Sequence, residues 1–382
     1  MSIFLKTNSK IDLLENRIVQ LEARINELEE LLKNKDISNN KSSQPEKDKA
    51  TDRDELSDKK IDETVSSIMK LTGWDYPYAK SKFLDAHSRT KCTPREYLMY
   101  RFYELSDSEQ ESYFLVFNQK HLHKKYEESR KFTKLVRNKE KTNQYFSKYV
   151  RRPWCTNQNI AFDDFKEIFK NSSRLIYKPI DGHCGYGVKA FDIDVDNLEN
   201  VYNELFSYPE GIIEEFIKQH ADMSKLCSSC INSLRFVTIS SNKKAVSEDG
   251  NKVEIVYSIV RIGRGNSIVD NLHSGGMVAN VDMETGTIST NACGSDRKEY
   301  ITHPETGTIF KGFQIPFFFE ALDMIREAIE SKNVAGYLGW DIAISENGPM
   351  LLEVNNRPGA DGLQAAYSHE RKGMKHVMQK FL

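Results

Sequence analysis

The chain is poor in cysteine, with 6 in 382 residues, and thiols this sparse exclude a fold built on a disulfide framework. It has no long apolar run. The nearest, Ile315–Pro316–Phe317–Phe318–Phe319, stops at Glu320, well short of the ~18 residues a membrane span needs. Net charge is missing too: 54 Lys and Arg against 56 Asp and Glu leave −2. That balance removes any global electrostatic case for nucleic acid or an anionic membrane as partner. Residues 1–10 hold no apolar core of the kind a secretory leader carries, so a cytoplasmic location is expected. What remains is ordinary composition, 39% apolar and 29% charged, in a length that suggests about two to three domains.

The first positive feature is a heptad. Ile11, Leu14, Ile18, Leu21, Ile25, Leu28 and Leu32 recur with isoleucine at a and leucine at d, the pattern of a parallel two-stranded coil. In that register Lys10, Arg17 and Arg24 fall at g and Glu15, Glu22 and Glu29 at the following e. Every g-to-e′ pair across a homodimer is then of opposite sign. We expect a coiled coil over 1–36 and a homodimer, a helix docked on its own body being the blander alternative. Residues 37–60 are mostly Lys, Asp, Ser and Asn, with Pro45, and read as a flexible linker.

Residues 61–135 are expected to be helical in short pieces, capped by Thr93 ahead of Pro94–Arg95–Glu96 and by Ser106 ahead of Asp107. Between 120 and 152 stand twelve Lys or Arg and three Glu. The plain reading is a solvated helix face; an anion-facing surface is the sharper one. Later the texture changes to short β-rich runs at 175–178, 188–193, 211–217, 234–239, 253–261, 338–344 and 350–354, with a helix over 317–332. The expected class is α/β of the mixed α+β kind, with its main body over 136–382.

Within that body, Asn347–Gly348 is a hairpin signal between two apolar runs. Folding about it brings Asp341 opposite, or nearly opposite, Glu353, and period-two alternation sends Asn355 to the face of Glu353. Carboxylates facing each other across a strand pair repel, and burying them costs more. A hard cation removes the conflict, and Asp, Glu and Asn oxygens suit Mg²⁺. An exposed hairpin with solvated acids is the competing reading. A second stretch runs from the strand ending Lys178–Pro179, through Gly182, Gly185 and Gly187, to a return strand carrying Lys189. Glycines this dense let backbone N–H groups approach an anion, although a plain hairpin turn explains them as well. Cys227–Ser228–Ser229–Cys230 has metal-like spacing but no second pair, and is read as coincidence.

Taken together these stretches resemble the ATP-grasp fold. The Lys-Pro strand with its glycine loop, Ile212–Ile213–Glu214–Glu215–Phe216–Ile217, Asn232 with Arg235, and Asp341 followed by Glu353 and Asn355 occur in that family's order. Asn138–Lys139–Glu140–Lys141–Thr142 looks like its first nucleotide-binding lysine element. Thr93–Pro94–Arg95–Glu96–Tyr97, Arg151–Arg152–Pro153–Trp154, Gln219–His220, Val269–Asp270–Asn271 with Ser274–Gly275–Gly276, and Gly339–Trp340–Asp341 look like the sugar-transfer-associated branch.

The resemblance implies roles. Lys139 and Lys178 would hold the α- and β-phosphates of ATP, and residues 182–187, with Gly182, Gly185 and Gly187 and flanked by Lys189, would cover the β,γ-phosphates. Glu214, Glu215 and Ile217 would belong to the adenine hinge through main-chain bonds, and the loop of Asn271 would contact phosphate or acceptor. Asp341 and Glu353 would hold one Mg²⁺, and Glu353 with Asn355 a second. Arg235 would stabilise the transferring phosphoryl group, and Arg261 is a candidate carboxylate or acyl-phosphate clamp, a salt-bridged surface arginine being the alternative. Arg357 and Asp361, directly after the metal strand, are placed to read substrate.

The implied activity is that of an ATP-dependent carboxylate–amine ligase working through an acyl phosphate. Its carboxylate and amine substrates would be small or sugar-linked, in surface polysaccharide or glycoconjugate modification. A phosphotransferase and a non-catalytic nucleotide-binding coiled-coil scaffold are the alternatives.

Overall fold

Each of the β-rich runs becomes a strand of one of two antiparallel sheets in the computed structural model, which describes residues 56–382 apart from Asp181, His183 and Cys184. The heptad and most of the linker, and with them the expected dimer, lie outside the described residues. The smaller sheet holds β1 (Trp154–Thr156), β2 (Arg174–Pro179), β3 (Lys189–Asp192) and β4 (Gly211–Glu215) in the order β1-β4-β2-β3. The larger comprises β5 (Leu234–Ser240), β6 (Val253–Ile262), β7 (Met277–Val281), β8 (Ala292–Gly294), β9 (Glu299–Tyr300), β10 (Gly336–Ser345) and β11 (Gly348–Asn355), in the order β11-β10-β5-β6-β7-β8-β9. The chain has the ATP-grasp fold, with helices ahead of the sheets.

The strands form where expected because their apolar runs have somewhere to be buried. All ten residues of β10 are buried, between β11 and β5 in the sheet and under the Phe318–Lys332 helix. Trp340 and Phe318 meet there with Phe146 and Phe236, the Phe146 and Trp340 rings standing edge to face at 5.5 Å. A separate core of Phe165, Phe169, Leu175, Tyr177 and Ile213 lies under the small sheet. The expected caps form: Thr93 and Glu96, and Ser106 and Glu109, each complete a capping box. β1, β8 and β9 span only 3, 3 and 2 residues, too short to show alternation, and β7 follows directly on Gly275–Gly276. Residues Asp58–Leu382 form one compact unit. Among the described residues no helix is long and apolar enough to cross a membrane.

Candidate active site

The hairpin turn and a β-bulge together set the register that builds the site. From Ser345 opposite Gly348 the pairing runs regularly to Ile342 opposite Leu351; there a bulge takes up Leu352, which puts Asp341 opposite Glu353 and Gly339 opposite Asn355. On its other side Asp341 pairs with Arg235 of β5. Asp341 is the one charged residue on a strand buried along its whole length, so it needs a counter-charge to remain ionised. Arg235 supplies one through a two-toothed contact, its Nε to Oδ1 and its Nη2 to Oδ2 at 2.9 Å. Arg261 of β6 supplies a second, Nη2 to Oδ2 at 2.8 Å, and Asn355 donates its amide to Oδ2 at 3.3 Å. Burial alone drives the Asp341 carboxyl up; Arg235 and Arg261 outweigh it and hold the group at about 2. Burial likewise works against the Arg235 charge, and Asp341, with help from Glu353, more than restores it.

Arg261 is held from behind. Its Nε donates to Ser233 Oγ at 3.1 Å and its Nη1 to Asn271 Oδ1 at 3.3 Å, while Asp270 accepts from the Ser233 N–H at 2.8 Å and its hydroxyl at 2.5 Å. The reading of Arg261 as a surface arginine does not fit this burial.

The small sheet carries a second clamped carboxylate. Glu214, 2% exposed on β4, accepts from Arg152 and Lys178 at 2.5 Å each and from the Asn143 amide at 2.9 Å. Burial pushes this carboxyl up as well; Arg152 and Lys178 overcome the push and hold it at about 2. The Glu214 side chain is therefore an anchor, a role not foreseen for it. The Glu215 and Phe216 N–H groups donate to Pro153 and Arg174 carbonyls, so an adenine would draw on other main-chain groups of 214–217.

Between the sheets lies a cavity of about 430 Å³. Arg235, Arg261, Lys139, Lys178, Gly182, Gly185, Glu214, Glu215, Ile217, Asn271, Asp341, Glu353 and Asn355 all line it; Gly187 and Lys189 do not. Alternation explains Lys189. It pairs with Tyr177, the neighbour of Lys178 on β2, and so points to the opposite face from Lys178. Its ammonium lies over the Tyr208 ring, 3.9 Å from the centroid. Lys139 reaches the glycine loop instead, donating to the Gly182 carbonyl at 2.6 Å and that of Ile180 at 3.4 Å. Gly185 has φ +75°, and a Cβ there would stand 2.8 Å from Asn271 Nδ2, so the loop closes tightly on the Asn271 segment.

Four residues at this site carried no assigned role in the sequence: Asn143, Arg152, Ser233 and Asp270. Arg152 and Lys139 lay in the basic run read as a solvated face, and for these two that reading is corrected, because both line the cavity. Cys227 and Cys230 are free and buried with sulfurs 4.0 Å apart, and no cluster of three or more His, Cys, Asp or Glu placed to hold a metal occurs among the described residues.

The donors present fit Mg²⁺. They are all oxygen, and the Glu353 side chain makes no hydrogen bond or ion pair with another described residue. Asn355 commits its NH₂ to Asp341, which leaves its carbonyl oxygen for a cation. Charge divides along the cavity. At one end Lys139, Lys178 and Arg152 outnumber two acids, Glu214 and Glu215; at the other, Arg235 and Arg261 are outnumbered by Asp341, Glu353, Asp270 and Asp361.

A family model described as sugar-transfer associated ATP-grasp matches residues 117–381. No curated protein matches the chain. Similar solved structures include N5-carboxyaminoimidazole synthetase from Staphylococcus aureus complexed with ADP, at 13% identity and TM-score 0.37 over 62% of this chain and 48% of that one. Another is D-alanine–D-alanine ligase from Bacillus anthracis, at 14% identity and TM-score 0.37 over 65% of this chain and 66% of that one. The chain thus spans about half the length of the carboxyaminoimidazole synthetase it matches.

Proposed function

This chain belongs to the sugar-transfer-associated ATP-grasp family, and from that premise we propose that it is an ATP-dependent carboxylate–amine ligase in surface polysaccharide or glycoconjugate modification. The observation that carries the reading is the division of charge along one cavity. A cationic end suits the phosphates of a nucleotide, and an acidic end, where Glu353 makes no hydrogen bond or ion pair with another described residue, suits the divalent cation that accompanies them. Lys139, Lys178 and the backbone of the glycine loop would hold the phosphates, and the loop, closed on Asn271, would exclude water. Mg²⁺ on Asp341, Glu353 and Asn355 would supply neutralisation of the phosphate charge. Arg235 would face the phosphoryl group in transfer, and Arg261, fixed by Ser233 and Asn271, would hold the carboxylate that receives it.

In this reaction a substrate carboxylate oxygen takes the γ-phosphoryl group, giving an acyl phosphate and ADP. An amine then attacks the acyl carbon, an amide forms and orthophosphate leaves. The test is a screen of uronic acids and amino acids against amino sugars, with ADP, orthophosphate and amide mass measured together. Equal release of ADP and orthophosphate with an amide product is expected. ADP with a phosphorylated product and no orthophosphate would replace the ligase by a phosphotransferase.

A further inference from the structure

A second cavity, of about 380 Å³, adjoins the first: Leu272 and Asp361 belong to the walls of both. That volume lies in the roughly 300–1,000 Å³ range of small-molecule sites. Its character is different from that of its neighbour. Four arginines line it, Arg95, Arg101, Arg297 and Arg371, against two acids, Glu104 and Asp361. They come from three separate stretches of chain, so no run of sequence charge accounts for the excess.

Three of the four are also held in an unusual backbone conformation. Arg101, Arg297 and Arg371 have φ of +54°, +60° and +55°, the left-handed region that side-chain-bearing residues rarely adopt. Their guanidinium groups are steadied as well. Arg297 donates to the Leu98 carbonyl at 3.2 Å, Arg371 pairs with Glu109 at 3.0 Å and with the Glu104 carbonyl, and Arg101 pairs with Glu104. Arg95 is the loosest, 3.8 Å from Asp361 with 71% of its side chain exposed. Each guanidinium has five N–H donors, and these contacts leave several of them for a ligand. Met99, Tyr100 and Leu105 give the cavity an apolar side against which a sugar ring can rest.

We propose that this cavity binds an oxyanion, phosphate or carboxylate, carried on a sugar-sized portion of the acceptor substrate, and that it sets the specificity of the reaction in the adjoining cavity. Bidentate arginine contacts select for planar or tetrahedral oxyanions, and the shared wall at Leu272 lets one molecule span both sites. The assignment of the bound group as acceptor rests on the ligase reading; the anion site itself does not.

The test is calorimetric titration of the full chain, with Mg²⁺ and saturating ADP, using glucuronic acid 1-phosphate, glucose 1-phosphate, methyl glucuronide and glucose. Binding of one or more charged probes but not glucose is expected, and the pattern tells phosphate from carboxylate. Arg95→Glu and Arg297→Gln should each weaken that binding about tenfold or more while leaving ADP affinity and melting temperature as in the wild type. Arg95 is exposed enough that its variant folds, so the test survives a failure of Arg297→Gln. Charged probes that bind no better than glucose, or bind the Arg95→Glu protein as tightly as the wild type, would overturn the proposal. Should ADP itself not bind, the nucleotide reading fails, and the same titrations without ADP still decide the anion site.

Discussion

The two sheets each carry a buried carboxylate gripped by two cations and an asparagine amide, and the pair differ in one respect. Glu214 has Arg152, Lys178 and Asn143 and lies opposite Trp154 and Ile176, neither of them an acid; Asp341 has Arg235, Arg261 and Asn355, and faces Glu353 across the strand pair. The first clamp is closed. It ties β4 to β2 and to the Lys139–Tyr145 helix, and it leaves a cationic surplus toward the cavity. The second clamp is open, because one carboxylate stays outside it. A stabilising device satisfies every charge it buries, whereas a site built to receive a cation keeps an acid in reserve.

Mutations at the clamps break this comparison first. Asp341→Ala strips the shared anion from two arginines whose side chains are each only 15% exposed and should cost about 3–5 kcal/mol in urea melts, with turnover lost by about 10³-fold or more. Glu214→Gln should cost about 3 kcal/mol near neutral pH, because Arg152, with 2% of its side chain exposed, keeps its charge and loses its partner.

Acid sharpens that second prediction. The Glu214 carboxyl sits at about 2 in the folded chain, below its unfolded value, so its stabilisation is complete above about pH 4.5 and is lost as pH falls through about 2. The gap between wild type and Glu214→Gln, followed by urea melts at stepped pH, should therefore close over that window. Gly185→Ala forces a side chain into φ +75° against Asn271 and should cost about 1–2 kcal/mol, with a smaller nucleotide-induced rise in melting temperature. Lys189→Ala should change nucleotide affinity, measured by titration, by no more than about twofold, since its ammonium lies over Tyr208 on the outer face.

Much of the open clamp was legible in the sequence, because a local signal sets it. The Asn347–Gly348 turn pairs β10 with β11 and brings Asp341 to within one position of Glu353; the bulge after Asp341, which no turn signal announces, completes the match. The closed clamp was not legible. Asn143 and Arg152 stand 71 and 62 residues from Glu214, and only the folding of the small sheet onto the preceding helices brings them together. The basic run illustrates the limit. Lys139 and Arg152 look like their exposed neighbours in composition, and burial separates them from Lys120 or Lys148. Lys189 erred the other way, since its closeness to the glycine loop in sequence hid the alternation that turns it outward. The arginine cavity draws on residues 95–105, 293–297 and 361–371, and no single segment announces it.

The central claim is that Glu353 is the acid held in reserve for a divalent cation, and thermal melting of Glu353→Gln addresses it most directly. Wild type and variant are melted alone, with Mg²⁺, and with Mg²⁺ plus a non-hydrolysable ATP analogue. Without ligand the variant should melt close to the wild type, because the lost repulsion with Asp341 and the lost attraction to Arg235 oppose each other. It should also lose the rise that Mg²⁺ and nucleotide together confer on the wild type by mass action. A Glu353→Gln protein that keeps the full ligand-induced rise and full turnover would contradict the account.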